Sequence, residues 1–397
     1  MNDRIPVLMV HNRYRCRGGE DLAFENDVDL LRSRGHQVTV YEQDNAGTDA
    51  MNRGRLAART LWSRESARDI AALIVRDQPA LMHVHNLSPL ISPSIYYVAA
   101  RYGVPVVQQL HNYRLICPNA LLLRNDGICE ECLAGSLYVP AIRHACYRES
   151  RLATATVAAM LILHRILRTW ERKVTLYIAP SVFAQRKFLA HGFAARQTVV
   201  RANYLATDPG VAEGPRDGAV FVGMLQAWKG VPALLDAWRR IRSPEPLRIV
   251  GEGPGKPALQ MAAKGMPNVQ FLGALDPDGV YFQLRRSRFL VFPSIAYETF
   301  GRTLIEAFAC ATPVIASRLG AATDIVHDQE TGLLFPPGDA AALARKIDEA
   351  LSHPEDMRRM GRTARRVFES RYTADPAYLR LMEIYQQARS STADPRR

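Results

Sequence analysis

The sequence predicts an α/β protein made of two doubly wound, Rossmann-like domains, and three observations carry that prediction. Short apolar runs bounded by Pro, Gly, Asn or Asp alternate with amphipathic helical stretches, as parallel sheets covered on both faces require. The alternation stops once, in the Pro-, Gly- and Asp-rich stretch 205–218, and then restarts. The chain has 397 residues, 48% of them hydrophobic, which is enough for two separate cores.

Before the break, VLMVHN, QVTVYE, ALMHVH, VPVVQQL, LYIAP and QTVVR read as strands; after it, AVFVG, LRIVG, VQFLG, FLVFP, PVIAS and GLLFP do. Open α/β sheets bind ligands at the carboxyl ends of their strands, so two such domains facing one another would form a cleft there. His83 and His85 in ALMHVH are read as facing opposite sides, one in the core and one toward the ligand side. The apolar run in MNDRIPVLMVHNRY is too short for a signal peptide, and no run reaches the ~20 apolar residues of a membrane span. The expected location is the cytoplasm, where thiols stay reduced.

The stretch SIAYETFGRTLIEAFACATPVIAS carries Glu298 and Glu306 eight residues apart. Glu298 falls in a strand-to-helix loop and Glu306 about one turn into a helix running from about Arg302 to Cys310. Between them, Phe300, Gly301 and Arg302 offer backbone N–H groups at a helix N-terminus, a natural seat for phosphate. Gly301 lets the backbone approach closely. Two carboxylates flanking a phosphate seat suit a nucleotide sugar, with acceptors for hydroxyls at both ends. An exposed loop acid and a solvated helix acid would give the same spacing.

The stretch resembles the Glu-x7-Glu motif of the retaining glycosyltransferases of family 4. Other pieces follow in that family's order: Gly18 and Gly19 after the first strand, MHVHN at 82–86, QLHNYRLICP around His111, FVGMLQAWKGV around Lys229, IVGEGP at 249–254, NVQFLG at 268–273 and ETGLLFPPGD at 330–339. The resemblance spans nearly the whole chain and implies the GT-B arrangement. It implies an N-terminal acceptor-side domain over 1–204, a nucleotide-sugar domain over 205–373, and a helix at about 374–390 packing back on the first. Residues 391–397 are expected to be a disordered tail.

By the same resemblance, Lys229 meets the donor diphosphate, Glu306 grips the ribose hydroxyls and Glu298 faces the transferred sugar. His111 is the first-domain active-site histidine. Gly18 and Gly19 approach the diphosphate, and the turn containing Gly251 and Glu252 borders the base. The family's arginine in the GRL segment is replaced by Met224, and Arg302 is the candidate substitute. Ala311 and Ala321 stand where glycine is usual, and Asp324 where glutamate is usual. No cofactor is implied for catalysis, only a UDP- or GDP-sugar donor, and no Asp-x-Asp metal seat is seen. A GT-B epimerase or hydrolase, or a silent binding homologue, is the alternative.

Charge suggests a further partner. The chain carries a formal net charge of +12, and segment 141–201 holds 11 basic and 2 acidic residues. There the run LATATVAAMLIL precedes His164, Arg165, Arg168, Arg172 and Lys173; His164, Arg168 and Arg172 are read as sharing one helical face. A basic patch beside an apolar face suits an anionic membrane surface, and a core helix with a solvated basic face is the other reading. No nucleic-acid module is recognisable. Four cysteines, Cys117, Cys129, Cys132 and Cys146, share one loop and could hold a structural zinc, or stay reduced. Cys16 and Cys310 are read as packing residues.

Overall fold

The structure is a computed structural model and describes residues 4–392, except Cys16, Asp126, Ser136, Glu213, Arg242 and Ser243. It divides into two compact units. The first comprises the chain up to Leu122, Cys129–Asn203 and the C-terminal helix from Ala377; the second comprises Leu123–Ile128 and Tyr204–Pro376.

The strands of the first unit are β1 (Pro6–Arg13), β2 (Gln37–Asp44), β3 (Leu81–Val84) and β4 (Val106–Gln109). A short hairpin, β5 (Leu123–Arg124) with β6 (Gly127–Ile128), follows in the chain, and then come β7 (Leu176–Ala179) and β8 (Thr198–Val200). All pairs in the six-stranded sheet are parallel, in the order β2-β1-β3-β4-β7-β8, so the order reverses between β1 and β3. Its core joins Val7 and Met9 of β1 to Phe24, Val28 and Leu31 of the helix Gly19–Ser33. Leu381, Ile384, Tyr385 and Ala388 of the helix Ala374–Thr392 belong to the same core. Each Val, Leu, Ile, Met or Phe side chain among them, fully buried, contributes roughly 1.5–3 kcal/mol.

The second unit contains β9 (Ala219–Val222), β10 (Leu247–Val250), β11 (Val269–Gly273), β12 (Phe289–Phe292), β13 (Val314–Ser317) and β14 (Gly332–Phe335). These are again parallel, in the order β11-β10-β9-β12-β13-β14, with the reversal between β9 and β12. β9, β10 and β12–β14 are almost wholly buried, which explains why they read as continuous apolar runs rather than as alternating ones. Among the described residues no helix is long and apolar enough to cross a membrane.

Three expectations are corrected. His83 and His85 share a face, with ring centroids 4.5 Å apart, because strand side chains repeat every two residues. His164, Arg168 and Arg172 do not form one helical face. The helix Arg151–Ile166 ends before Arg168, whose φ of +52° redirects the chain into the short helix Thr169–Arg172. His164 turns inward to Thr169 Oγ1 and the Leu61 carbonyl. Ser391 and Thr392 continue the last helix rather than starting a tail; the remaining tail residues, like Cys16, lie outside the described residues.

Candidate functional site

The second unit gathers its candidates where its strand order reverses. The turn after β9 runs through Trp228, Lys229 and Gly230 and is strapped to the end of β12: the Ile295 amide donates to the Trp228 carbonyl at 2.9 Å. Gly230 makes this approach possible. Its φ is +76°, and a Cβ there would lie 1.8 Å from the Pro293 carbonyl oxygen. The strapping carries Lys229 Nζ to 2.5 Å from Glu298 Oε1, with both side chains largely buried. Lys229 also lies over the Trp228 ring, 4.6 Å from its centroid.

Gly301, with φ +84°, opens the helix Arg302–Ala309, and Arg302 Nε donates to Glu306 Oε1 at 2.9 Å across one turn. Phe300 is buried and packs edge-on to Tyr372, so only its backbone is available to a ligand. The Ala321 amide donates to the Glu298 carbonyl at 3.3 Å. Behind β10, the Gly251 amide donates to the Gly273 carbonyl, and the Glu252 carbonyl receives the Leu225 amide. This fixes the Gly251–Glu252 turn beside the one after β9, while the Glu252 carboxylate points to Lys256 at 2.6 Å. Met224 is half-exposed, and Arg302, the candidate substitute for the missing cation, pairs with Glu306.

The site thus presents an ammonium, a guanidinium and the free N–H groups of a helix start among two carboxylates. Such a set can hold a diphosphate and stabilise the charge that grows on it as a sugar leaves.

The first unit gathers histidines. His111 follows β4, and its Nε2 lies 2.9 Å from His85 Nδ1, so the two rings share one proton. His83 Nδ1 meets the Tyr385 hydroxyl at 2.8 Å. Burial, helped by neighbouring histidines and Arg201, pulls His111 down to about 3 and His85 well below its ordinary range. Burial also pulls His83 down to about 4. Sequence reasoning missed the partners. Asp27 is held by Arg201 through two bonds of 2.7 and 2.9 Å, and Asp21 bonds His11 at 2.8 Å. Gly18 and Gly19 open the helix bearing both aspartates, and the Gly18 amide donates to Asp21 at 2.8 Å. Asn112, beside His111, donates to Glu20 at 2.8 Å, and burial raises that carboxyl. A small cavity of about 40 Å³ borders His85, His111 and Asn112, room for water rather than a sugar.

Asp27, His83 and His85 are the one described group of three whose ligand atoms lie within 4.8 Å of one another. Arg201 already occupies Asp27, and its buried guanidinium opposes a cation there. Cys117, Cys129, Cys132 and Cys146 all belong to the first unit, and burial, then the other three thiols, push Cys132 up to about 11. Tetrahedral zinc would hold thiolates roughly 3.8 Å apart. In this structure no three of these described sulfurs lie within 4.8 Å of one another.

Residues 216–353, most of the second unit, match the family described as Glycosyl transferases group 1. The glycogen synthase of Mycobacterium tuberculosis is 31% identical over 405 aligned positions, covering 96% of this chain and 87% of that one. The chain belongs to the group 1 glycosyltransferases.

Within the family, the O-antigen chain mannosyltransferase C of Escherichia coli is 35% identical over 178 residues, 43% of this chain. This chain spans about half the length of that relative, 47%. The Anabaena protein HepE, crystallised with UDP and glucose, has the same fold: TM-score 0.69 and 17% identity, covering 96% of this chain and 99% of the other. This group 1 chain therefore has the GT-B fold of two Rossmann-like domains.

Proposed function

We propose that this chain is a retaining glycosyltransferase of family 4, moving a sugar from a nucleotide diphosphate to a glycan or lipid-linked acceptor in surface polysaccharide synthesis. The observation that carries the reading is the Lys229–Glu298 pair at the strand-order reversal, with the Arg302–Glu306 pair on the helix that follows Glu298 in the chain. Lys229 and the amides at Gly301 and Arg302 take the diphosphate, Glu306 the ribose hydroxyls and Glu298 the transferred sugar. The Gly251–Glu252 turn borders the base. His111, with Gly18 and Gly19, serves from the acceptor-side unit. The HepE complex with UDP and glucose supports a nucleotide-sugar donor, UDP- or GDP-linked.

The O-antigen chain mannosyltransferase of Escherichia coli supports a surface-glycan acceptor, and the phosphatidyl-myo-inositol mannosyltransferase of Mycobacterium leprae a lipid one. The enzyme would then work in the cytoplasm, resting on the inner membrane face. Leu152, Ala159 and Ile166 are exposed seven residues apart on the helix Arg151–Ile166, and Arg165, Arg168 and Arg172 are exposed nearby. This combination suits an anionic lipid surface. Incubation with UDP- and GDP-sugars, followed by NMR, tests the central reading. Released nucleotide with sugar of unchanged anomeric configuration is expected; an isomerised nucleotide sugar would identify an epimerase instead.

A further inference from the structure

A cavity of about 550 Å³ lies within the second unit, in the size range of small-molecule sites. Its position sets it apart from the donor residues. Arg216 comes just before β9, Arg288 immediately before β12 and Pro313 immediately before β13, so the cavity borders the amino ends of strands whose carboxyl ends lead to Lys229 and Glu298. Four-residue strands separate these edges by roughly 13 Å.

The lining has an unusual composition. Four arginines, Arg216, Arg288, Arg358 and Arg362, face it, and the other described lining residues are Val, Ala, Gly, Pro and Met. Arg216 is mostly buried, and its guanidinium donates to the carbonyls of Cys310 and Ala311 and to Thr312 Oγ1. Among the described residues no carboxylate pairs with it. Burial lowers its pKa, a cost that a bound anion would offset.

Arg362 is exposed and has no hydrogen-bond or ion-pair partner among the described residues. It stands one helical turn from Arg358 on the helix Pro354–Arg371, whose Met357 turns into the cavity. Among the described residues Arg358 pairs only with the solvent-facing Glu355, a pair of little strength, and Arg288 pairs with Glu245 at 3.1 Å.

We propose that this cavity binds a phosphorylated ligand with an apolar portion. The phosphate sits among Arg216, Arg358 and Arg362, where planar guanidiniums match its oxygens, and the apolar portion rests on Pro313 and Met357. Arg216 links the cavity to the donor residues, because the carbonyls it holds end the helix that begins at Arg302. A free phosphorylated metabolite and a phospholipid headgroup both supply this chemistry.

Calorimetric titration of the Lys229→Ala protein with inorganic pyrophosphate tests the site apart from the donor site. Saturable binding is expected, weakened at least tenfold by Arg358→Ser with Arg362→Ser. Arg362→Glu, at an exposed unpaired position, reads the same contact by charge reversal should the double variant fold poorly. Phosphatidylcholine vesicles with and without phosphatidylglycerol separate the sources. Competition by the anionic vesicles supports a lipid headgroup, and pyrophosphate binding without that competition supports a soluble ligand. Absence of pyrophosphate binding, or binding that both arginine variants retain at full strength, would overturn the site.

Discussion

Lys229 Nζ lies 2.5 Å from Glu298 Oε1, though 69 residues separate them in the chain. They follow neighbouring parallel strands, β9 and β12, at the point where the sheet changes direction. In the free protein each neutralises the other. A donor diphosphate would draw the ammonium away and leave Glu298 able to accept from sugar hydroxyls.

Lys229→Ala is therefore expected to weaken nucleotide-diphosphate binding by at least tenfold, the loss of one charge-assisted contact of roughly 1.5–3 kcal/mol. Calorimetry with UDP and GDP checks this, and equal affinity in both proteins would remove Lys229 from the donor site.

The two glutamates should separate in kinetics. Glu306→Ala is expected to weaken nucleotide binding, whereas Glu298→Ala mainly lowers kcat with binding largely kept. Steady-state kinetics beside direct binding would show it; unchanged values in both variants contradict the assignment.

Gly230→Ala should destabilise the second unit by about 2–4 kcal/mol. A left-handed backbone costs an alanine roughly 1–2 kcal/mol, and relieving the clash with the Pro293 carbonyl adds about as much. The Lys229 turn would be pushed off β12, so nucleotide affinity should fall together with the melting temperature. A variant that melts with the wild type would show that the turn does not need this close approach.

Acid should unfold the first unit early. Burial pulls His83 to about 4 and His111 to about 3, while an unfolded histidine titrates near 6.5. Between these values the unfolded chain binds more protons, so stability present above pH 6.5 falls as the pH drops. Each histidine contributes about 1.4 kcal/mol per pH unit once below 6.5. Urea unfolding between about pH 7.5 and about pH 5, above most carboxylate titration, measures the slope. His111→Gln should make it shallower by about one proton, and an unaltered slope would mean that His111 is not held neutral.

Binding to phosphatidylglycerol vesicles should fall steeply with salt, since surface attraction is screened within ~8 Å at physiological ionic strength. Replacing Arg165, Arg168 and Arg172 with Ser should weaken it further. Sedimentation with vesicles decides, and binding indifferent to salt and to these residues would leave them as solvated surface.

The sequence by itself determined the two-unit α/β plan. All twelve strands of the two sheets were readable because each is rich in apolar or β-branched residues between turn residues, and in β9, β10 and β12–β14 burial on both faces makes the apolar run continuous. Glu298, Glu306, Lys229 and His111 were legible because short motifs carry them. Tertiary structure alone decided their partners. Nothing local announces that Lys229 meets Glu298, that Arg201 locks Asp27, or that Tyr385 reaches His83 across 302 residues. Strand order sets those meetings, and strand order follows from how helices cover a sheet rather than from any one segment. The same reason explains the misses. A single left-handed residue, Arg168, undid a helical face that spacing suggested. Backbone turns and side-chain directions are settled by packing from distant parts of the chain, and periodicity carries no record of them.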